Sequence, residues 1–246
     1  MAENANIYEV FNSLQGEGPY VGTRQVFVRF QGCPLRCVYC DSVGARRYKS
    51  SRRVKSDVSN WLENPVSAKA LTRLIESLWT PATQHISLTG GEPLLNADFI
   101  RELAEESRKP IYLETSAFSS QSARRLEKSV SIAACDIKLP EHGATSAYEQ
   151  LFREELRTIK FFYKCQVDVF AKVVAMEETE SEIIANVARH LAAIDSNLPL
   201  VLQPVAPIAR LIPPESNQLL QLMDAAARYL RQVRVIPQVH KKLGIE

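Results

Sequence analysis

The chain is organised around one short stretch, Cys33-Pro34-Leu35-Arg36-Cys37-Val38-Tyr39-Cys40-Asp41. It contains three of the five cysteines, with three residues between the first two and two residues between the last two. A closed tetrahedral zinc site normally needs four ligands. Three thiolates suit an iron–sulfur cluster in which the protein holds three irons and leaves one open. An open iron can bind and activate a small molecule, so this loop indicates chemistry rather than structure alone.

The bulk composition is that of an ordinary globular protein. The 246 residues are 46% hydrophobic and 24% charged, with a net charge of +2, and a chain of this length buries a sizeable core. So small a net charge gives no reason to expect direct binding of nucleic acid. The sequence contains no run of 18 apolar residues and no N-terminal signal pattern. We therefore expect a cytoplasmic protein with reduced cysteines and no membrane partner.

Strand and helix patterns alternate along the rest of the chain. A helix is predicted over 67–79, with Ser67 as its N-cap, because apolar residues recur every three or four positions from Leu71 to Leu78. Strands are predicted at 26–31, 85–89, 111–115, 132–138, 169–174, 200–203 and 233–236, and further helices near 97–108, 120–128, 146–162, 184–194 and 215–231. Strands separated by helices form right-handed crossovers and a parallel sheet. We expect an α/β fold, a single domain over residues 1–246, built as an incomplete TIM-like barrel.

Polar residues stand at the ends of several predicted strands. In barrels and parallel sheets the active site forms at the C-terminal edge of the strands. The residues at these ends are Thr89-Gly90-Gly91-Glu92, Glu114-Thr115-Ser116, Asp136-Ile137-Lys138, Lys172 and Gln203-Pro204. Each is a weak signal alone, since an Asp-x-Lys at a strand end is more often a local ion pair. Together, around one cysteine loop, they indicate a single pocket.

Three other segments each allow two interpretations from the sequence. Residues 12–19 contain two glycines and a proline, so they form a tight turn whose Gln15 and Glu17 face either a ligand or solvent. Arg29, near a strand end, reaches either solvent or a ligand carboxylate. Residues 46–55 carry six positive charges. For them we favour a solvated loop, part of a basic insertion near 43–60, over an RNA or phosphate site.

At these residues the sequence resembles the radical S-adenosylmethionine (SAM) superfamily. The spacing Cys-x3-Cys-x2-Cys, with an aromatic residue before the third cysteine, is the signature of that superfamily, and Gly90-Gly91-Glu92-Pro93 resembles its motif for the SAM amino group. Within the superfamily the chain is similar, along nearly its whole length, to the 7-carboxy-7-deazaguanine synthase family. The supporting segments are Ser13–Gly18, Asp41-Ser42, Leu113–Thr115, Asp136–Lys138, Gln203-Pro204 and Gln238–Ile245.

The resemblance implies a ring contraction by a radical SAM fold. 6-Carboxy-5,6,7,8-tetrahydropterin would become 7-carboxy-7-deazaguanine with loss of ammonia, a step toward queuosine or archaeosine in tRNA. A [4Fe-4S] cluster and SAM would supply a radical that takes hydrogen from C6 of the substrate, while the protein orients and shields the chemistry. The family also implies Mg²⁺, a homodimer, and an electron donor such as a flavodoxin or ferredoxin.

The resemblance also implies roles for individual residues, none of them catalytic beyond the cluster and SAM. Cys33, Cys37 and Cys40 would hold the cluster, and Ser42 would ligate Mg²⁺, a hard ion that accepts oxygen ligands. The residues implied to bind SAM are Tyr39, Asp41, Gly91, Glu114, Ser116, Asp136, Ile137, Lys138, Gln203 and Pro204. The residues implied to bind the substrate are Leu14, Gln15, Gly16, Glu17, Arg29, Thr89, His240 and Glu246, with Arg29 and His240 as the carboxylate partners.

Two other functions are compatible with part of this pattern. Another radical SAM enzyme, such as a glycyl-radical activase, would share the cysteines and the Gly-Gly-Glu-Pro motif, but it would not need the loop of Gln15 and Glu17 or the tail with His240. A zinc-dependent or RNA-binding module would use the three cysteines and a histidine, with the basic segment 46–55. That module would leave the polar strand ends unexplained, so we expect the synthase.

Overall fold

A computed structural model describes residues 4–47, 53–56, 62–206 and 211–245. The strands are β1 (Asn4–Ala5), β2 (Ile7–Leu14), β3 (Arg24–Phe30), β4 (Lys55–Ser56), β5 (Val66–Ser67), β6 (Thr83–Gly90), β7 (Ile111–Thr115), β8 (Ile132–Asp136), β9 (Asp168–Ala175), β10 (Leu200–Pro204) and β11 (Val233–Val235). The helices are α1 (Val43–Arg46), α2 (Ala68–Leu78), α3 (Ala97–Ser107), α4 (Ser120–Arg124), α5 (Tyr148–Lys164), α6 (Ser181–Ala192), α7 (Ser216–Ala227) and α8 (Val239–Leu243). Within these ranges no helix has the length and apolar character needed to cross a membrane.

Seven parallel strands form the main body of the sheet, in the order β3-β6-β7-β8-β9-β10-β11. Successive strands are joined through helices α2 to α7. In the described part of the chain β11 does not pair with β3, so the strands form an incomplete barrel. The expected α/β class is confirmed. The sequence pattern did not predict β2, which forms an antiparallel hairpin with β3 and lies between β3 and the short edge strand β4.

Most element boundaries follow local signals. Helix α2 begins after Ser67 as predicted, and the Ser67 hydroxyl accepts a hydrogen bond from the Ala70 amide. Helix α4 is shorter than expected because the chain after it continues as separate turns, in which the Leu126 amide bonds to the Ala123 carbonyl and the Ser129 amide to the Leu126 carbonyl. These turns still carry the chain from β7 to β8, so the topology is unchanged.

Each parallel strand has one face toward the helices and one toward the barrel interior, because successive side chains alternate. Cys135 in β8 and Ile137 directly after it belong to the large core beneath the helices, whereas Asp136 between them points into the interior. The lower part of the interior is filled by a small apolar cluster that includes Tyr112 and Phe170. This cluster closes the bottom of the barrel and leaves its upper part open.

The end of β6 packs directly on the chain that enters the cysteine loop. A Cβ atom on Gly91 would lie 2.1 Å from the carbonyl oxygen of Gly32, and Gly90 has a φ of +102°. The Gly91 amide donates to the Phe30 carbonyl at 2.9 Å, and the Glu92 amide donates to the Gly32 carbonyl at 2.8 Å. The resemblance implies that Gly91 binds SAM. In this structure the close approach of the neighbouring backbone also requires glycine at position 91.

Replacing Gly91 with alanine is expected to reduce the free energy of unfolding by more than about 3 kcal/mol, because backbone atoms rather than a flexible side chain block the added methyl group. Gly22→Ala is the control. No atom of the described residues lies within 4 Å of its added Cβ, so only its positive φ carries a cost, about 1–2 kcal/mol. Urea unfolding of the two variants measures both losses. Equal losses would show that the contact with Gly32 is not the constraint.

Candidate active site

One pocket opens above the apolar cluster, at the C-terminal ends of the parallel strands. The cysteine loop after β3, the ends of β6 to β10, the loop between β2 and β3, and the C-terminal segment all line it. The expected binding residues that the structure brings together here are Leu14, Gln15, Gly16, Glu17, Arg29, Cys33, Cys37, Tyr39, Cys40, Asp41, Ser42, Thr89, Gly91, Glu114, Ser116, Asp136, Lys138, Gln203 and His240.

Two of the expected residues that the structure describes are not part of this lining. The side chain of Ile137 is buried in the core beneath the helices. Pro204, the last residue of β10, is also absent from the pocket wall, because its neighbour Gln203 takes the inward position. Glu246 lies outside the described residues, as do residues 48–52 of the basic segment.

The cysteine loop is held against the turn that follows β8. The Arg36 amide donates to the Ala144 carbonyl at 2.9 Å, and the Val38 amide donates to the His142 carbonyl at 3.0 Å. The Tyr39 ring meets the His142 ring edge-on, with 4.7 Å between their centroids. The aromatic residue of the cysteine motif therefore packs against the protein and fixes the loop between its second and third cysteines.

The three thiols fit a cluster of several irons. Burial raises the pKa of Cys33 to about 11 and also raises those of Cys37 and Cys40. In the described ranges no group of three or more His, Cys, Asp or Glu side chains is arranged to hold a single metal ion. An iron–sulfur cluster makes no such demand, because each cysteine binds its own iron. Three thiols from one loop that line the same pocket fit a cluster with three protein ligands.

Asp136 is the centre of a charged group on the pocket floor. One of its carboxylate oxygens lies 2.8 Å from the Lys138 ammonium, and the other lies 3.2 Å from the Lys172 ammonium. Lys172 also forms an ion pair with Glu17. Burial acts to raise the pKa of Asp136, but the two ammonium groups hold it below its usual value. Asp136 is therefore a carboxylate at neutral pH.

The same pairing keeps both lysines charged. Burial alone lowers the pKa of a lysine, but Asp136 opposes this effect, and the pKa values of Lys138 and Lys172 are raised. The sequence places Lys172 among the polar residues at strand ends that indicate the pocket, but it assigns no ligand to Lys172. Its contact with Glu17 spans 155 residues of chain, so the strand gave no local signal for it.

Glu114 is held by neutral hydrogen-bond donors. Its two carboxylate oxygens accept from the Gln15 side-chain amide at 2.7 Å and from the Thr89 hydroxyl at 2.9 Å. Burial and the nearby charge of Glu17 raise its pKa. These bonds join the loop after β2 to the ends of β6 and β7.

Glu92, the acidic residue of the Gly-Gly-Glu-Pro motif, is almost completely buried. It accepts from the Leu94 amide at 2.9 Å, the Thr115 hydroxyl at 2.6 Å, and the Ser116 amide at 2.8 Å. Burial raises its pKa, and these donors oppose that effect. Glu92 thus ties the end of β6 to the end of β7, a structural role that its place in the motif did not reveal.

Gln203 presents an unsatisfied acceptor in the pocket wall. The residue is 3% exposed, and its side-chain carbonyl oxygen has no hydrogen-bond partner among the residues that the structure describes. A buried acceptor without a partner costs free energy. A bound molecule with an N–H or O–H donor would remove that cost, so this atom fits a polar ligand of the pocket.

Arg29 crosses the pocket wall toward the cysteine loop. It forms an ion pair with Glu9 at 2.8 Å and donates to the Ser42 hydroxyl at 3.1 Å, and its guanidinium lies 5.4 Å from the centre of the Phe11 ring. The Ser42 hydroxyl in turn donates to Asp41 at 3.2 Å. The guanidinium is therefore fixed by an ion pair and an aromatic face on the protein side of the pocket.

The C-terminal segment, residues 236–245, lies across the mouth of the pocket, and we call it the strap. The Val239 amide donates to the Gly16 carbonyl at 2.9 Å. The His240 ring lies so close that a Cβ atom on Gly16 would be 2.1 Å from its Nδ1 atom. None of the residues of α8 is buried. The strap therefore depends on few contacts.

Polar contacts tie the strap to both loops at the mouth. The Gln238 side-chain amide donates to Glu17 at 2.6 Å and to Asp41 at 3.3 Å. Lys241 forms an ion pair with Asp41 at 3.1 Å. Gln238 was not among the expected binding residues, and its partners are 221 and 197 positions away in the sequence.

Comparison with known proteins places this geometry among iron–sulfur enzymes. Residues 14–139 match the model of the family described as a 4Fe-4S single cluster domain. The 7-carboxy-7-deazaguanine synthase of Methanocaldococcus jannaschii is 37% identical over 97% of this chain and 99% of its own. The protein of the same name from Methanothermobacter thermautotrophicus is 39% identical over 98% of each chain.

Two solved structures share the fold. QueE from Escherichia coli matches with a TM-score of 0.65 and 21% identity, over 96% of this chain and 95% of its own. A radical SAM methyltransferase from Sphaerobacter thermophilus matches with a TM-score of 0.61 and 14% identity, over 94% of this chain and 77% of its own.

Replacing Gly16 with alanine is expected to displace the strap, because the added methyl group would overlap the His240 side chain. Hydrogen exchange of the amides in 239–245, followed by mass spectrometry, should become at least about tenfold faster, while the strands exchange as before. Gly22→Ala, in the same hairpin loop but without neighbours within 4 Å, should leave the strap unchanged. Unchanged exchange in Gly16→Ala would mean that this contact does not hold the strap.

Proposed function

The chain belongs to the 7-carboxy-7-deazaguanine synthase family, and we propose how its pocket residues divide the work of that family's reaction. The protein is a radical SAM enzyme that converts 6-carboxy-5,6,7,8-tetrahydropterin to 7-carboxy-7-deazaguanine with loss of ammonia. The observation that carries this assignment is the pocket itself, in which three cysteines, the polar ends of the five strands β6 to β10 and the Gln15–Glu17 loop meet. A glycyl-radical activase or a zinc module would leave the loop and the strap without a purpose.

Cys33, Cys37 and Cys40 would hold the [4Fe-4S] cluster, with SAM beside it at the strand ends. When bound, the cluster and SAM supply the radical chemistry, which amino-acid side chains cannot provide. The unpaired carbonyl oxygen of Gln203 is suited to accept a hydrogen bond from an amino or hydroxyl group of SAM. Asp136, at the end of β8, is kept ionised by Lys138 and Lys172. Its carboxylate is therefore also suited to accept a hydrogen bond from SAM.

Arg29 and Glu17 would orient the substrate. The carboxylate of the pterin is an anion, and the fork of the Arg29 guanidinium matches the geometry of a carboxylate. The amino group and ring N–H groups of the pterin are donors, which the Glu17 carboxylate accepts well. With the carboxylate held at one end and the donors at the other, the ring has one orientation in the pocket.

The strap and the apolar cluster would exclude water from the reaction. His240 and Gln238 reach the pocket from the strap, and Tyr112 and Phe170 close the floor beneath the charged residues. A strap held by few contacts can open to admit the pterin and close over it. Reactive intermediates would then form in a space that water does not share.

We also propose that Mg²⁺ takes part, with Ser42 as its protein ligand. A hydroxyl oxygen, substrate oxygens and water together suit this ion, which keeps several waters in protein sites. The Ser42 hydroxyl lies beside Arg29 and Asp41, so an ion there would be next to both the proposed substrate carboxylate and a protein carboxylate. A single cytoplasmic domain over 1–246, a homodimer, and a flavodoxin or ferredoxin as electron donor complete the proposal.

Turnover tests the assignment directly. The protein is purified, reconstituted without oxygen, and given SAM, Mg²⁺, a reductant and 6-carboxy-5,6,7,8-tetrahydropterin. We expect 7-carboxy-7-deazaguanine, detected by mass spectrometry, with less product when Mg²⁺ is removed. Formation of 5′-deoxyadenosine without the deazapurine would reject the substrate while leaving the superfamily intact.

Arg29→Ala is expected to weaken binding of 6-carboxypterin, a stable analogue, by about tenfold or more, because a hydrogen-bonded charge pair is lost. SAM affinity should change by less than about twofold, since the Arg29 guanidinium contacts Glu9, Phe11 and Ser42 and, within the described ranges, forms no hydrogen bond or ion pair with a residue assigned to SAM. Calorimetric titration measures both. Arg24→Ala is the matched control, because Arg24 lies at the opposite end of β3 and is exposed. Similar losses for both ligands would contradict the role given to Arg29.

A further inference from the structure

Lys172 is a buried cation that the proposed function above places in contact with neither ligand. It lies on β9 opposite Asp136 of β8 in the parallel register, and its side chain is 9% exposed. A buried ammonium is costly unless it is paired. Lys172 has two carboxylate partners, Glu17 and Asp136.

These two partners come from different parts of the pocket. Glu17 belongs to the loop between β2 and β3, which we assign to the pterin, whereas Asp136 ends β8, which we assign to SAM. The second oxygen of each carboxylate is also occupied, that of Glu17 by Gln238 at 2.6 Å and that of Asp136 by Lys138 at 2.8 Å. Each carboxylate thus has two partners that fix its position, and Lys172 is one of the two partners of both Glu17 and Asp136.

Loss of the Lys172 ammonium would disturb both carboxylates together. Glu17 and Asp136 would face each other as two anions in a buried space, with Glu114 close to Glu17 as a third acidic group. Like charges in such surroundings repel strongly because water screens them little. Glu17 belongs to a loop, so it would turn toward solvent and away from the pterin.

We propose that Lys172 is a positioning residue shared by the two subsites, which holds Glu17 for the pterin and Asp136 for SAM. The inference rests on the proposed function, which supplies the identity of the two ligands. Lys172 acts through the two carboxylates, so its contribution to each ligand disappears when the corresponding carboxylate is removed. That property separates positioning from a direct contact and from a general effect on stability.

Two double-mutant cycles on binding test the proposal. Calorimetric titration of reconstituted protein with 6-carboxypterin is carried out on the wild type, Lys172→Met, Glu17→Gln and their double variant. Titration with SAM is carried out on the wild type, Lys172→Met, Asp136→Asn and their double variant. Lys160→Met, on the exposed side of α5, is the control for loss of a lysine and should bind both ligands as the wild type does.

We expect Lys172→Met to lower the affinity for 6-carboxypterin and for SAM by about tenfold or more, which is the usual effect of losing a hydrogen bond to a charged group. In the Glu17→Gln background the same change should alter 6-carboxypterin affinity by less than about twofold, and in the Asp136→Asn background it should alter SAM affinity equally little. If Lys172→Met weakens binding by the same factor in every background, Lys172 does not act through these carboxylates and the proposal is overturned.

The same titrations also distinguish failure of the Lys172→Met variant to fold and failure of the substrate assignment from failure of the proposal. If Lys172→Met does not fold, as judged by circular dichroism, each double variant is compared with its own carboxylate variant, where a large difference in affinity overturns the proposal and equal affinity supports it. If the wild type binds SAM but not 6-carboxypterin, the substrate assignment fails. The SAM cycle still decides whether Lys172 positions Asp136.

Discussion

Charges buried at the strand ends must neutralise one another, and this requirement organises the pocket. Asp136 lies between Lys138 and Lys172, and Lys172 continues to Glu17. Buried ion pairs seldom stabilise a fold more than well-packed apolar side chains would. Their presence here is better explained by the polar ligands that the pocket binds. The fold makes this pairing possible, because parallel strands bring charged residues from distant parts of the chain to one edge of the sheet.

The backbone contact between β6 and the cysteine loop has a comparable role on the other side of the pocket. Gly91 and Gly32 approach so closely that only glycine fits at position 91. Glu92 then ties the same strand end to β7 through Thr115 and Ser116. The cysteine loop is therefore positioned by the sheet, and the geometry of the three thiols depends on two motifs far apart in the sequence.

The sequence predicted the seven parallel strands and most of the pocket because polar residues at strand ends are a strong pattern. It assigned Ile137 and Pro204 to the pocket as members of short motifs, although strand alternation turns both side chains elsewhere. It omitted β2, where an irregularity between Ile7 and Glu9 interrupts the alternation that marks a strand. The roles of Lys172 and Gln238 depend on partners more than 150 residues away, which no local pattern reveals.

The strap and the floor of the pocket hold their charges in different surroundings. The pair of Lys241 and Asp41 at the mouth is partly exposed, with side chains 34% and 43% accessible, whereas Lys172 on the floor is shielded. Dissolved ions screen exposed pairs over about 8–10 Å at ordinary salt concentrations and affect buried pairs far less. Ionic strength should therefore govern how fast the pocket exchanges its contents, while the arrangement of the floor that receives them stays the same.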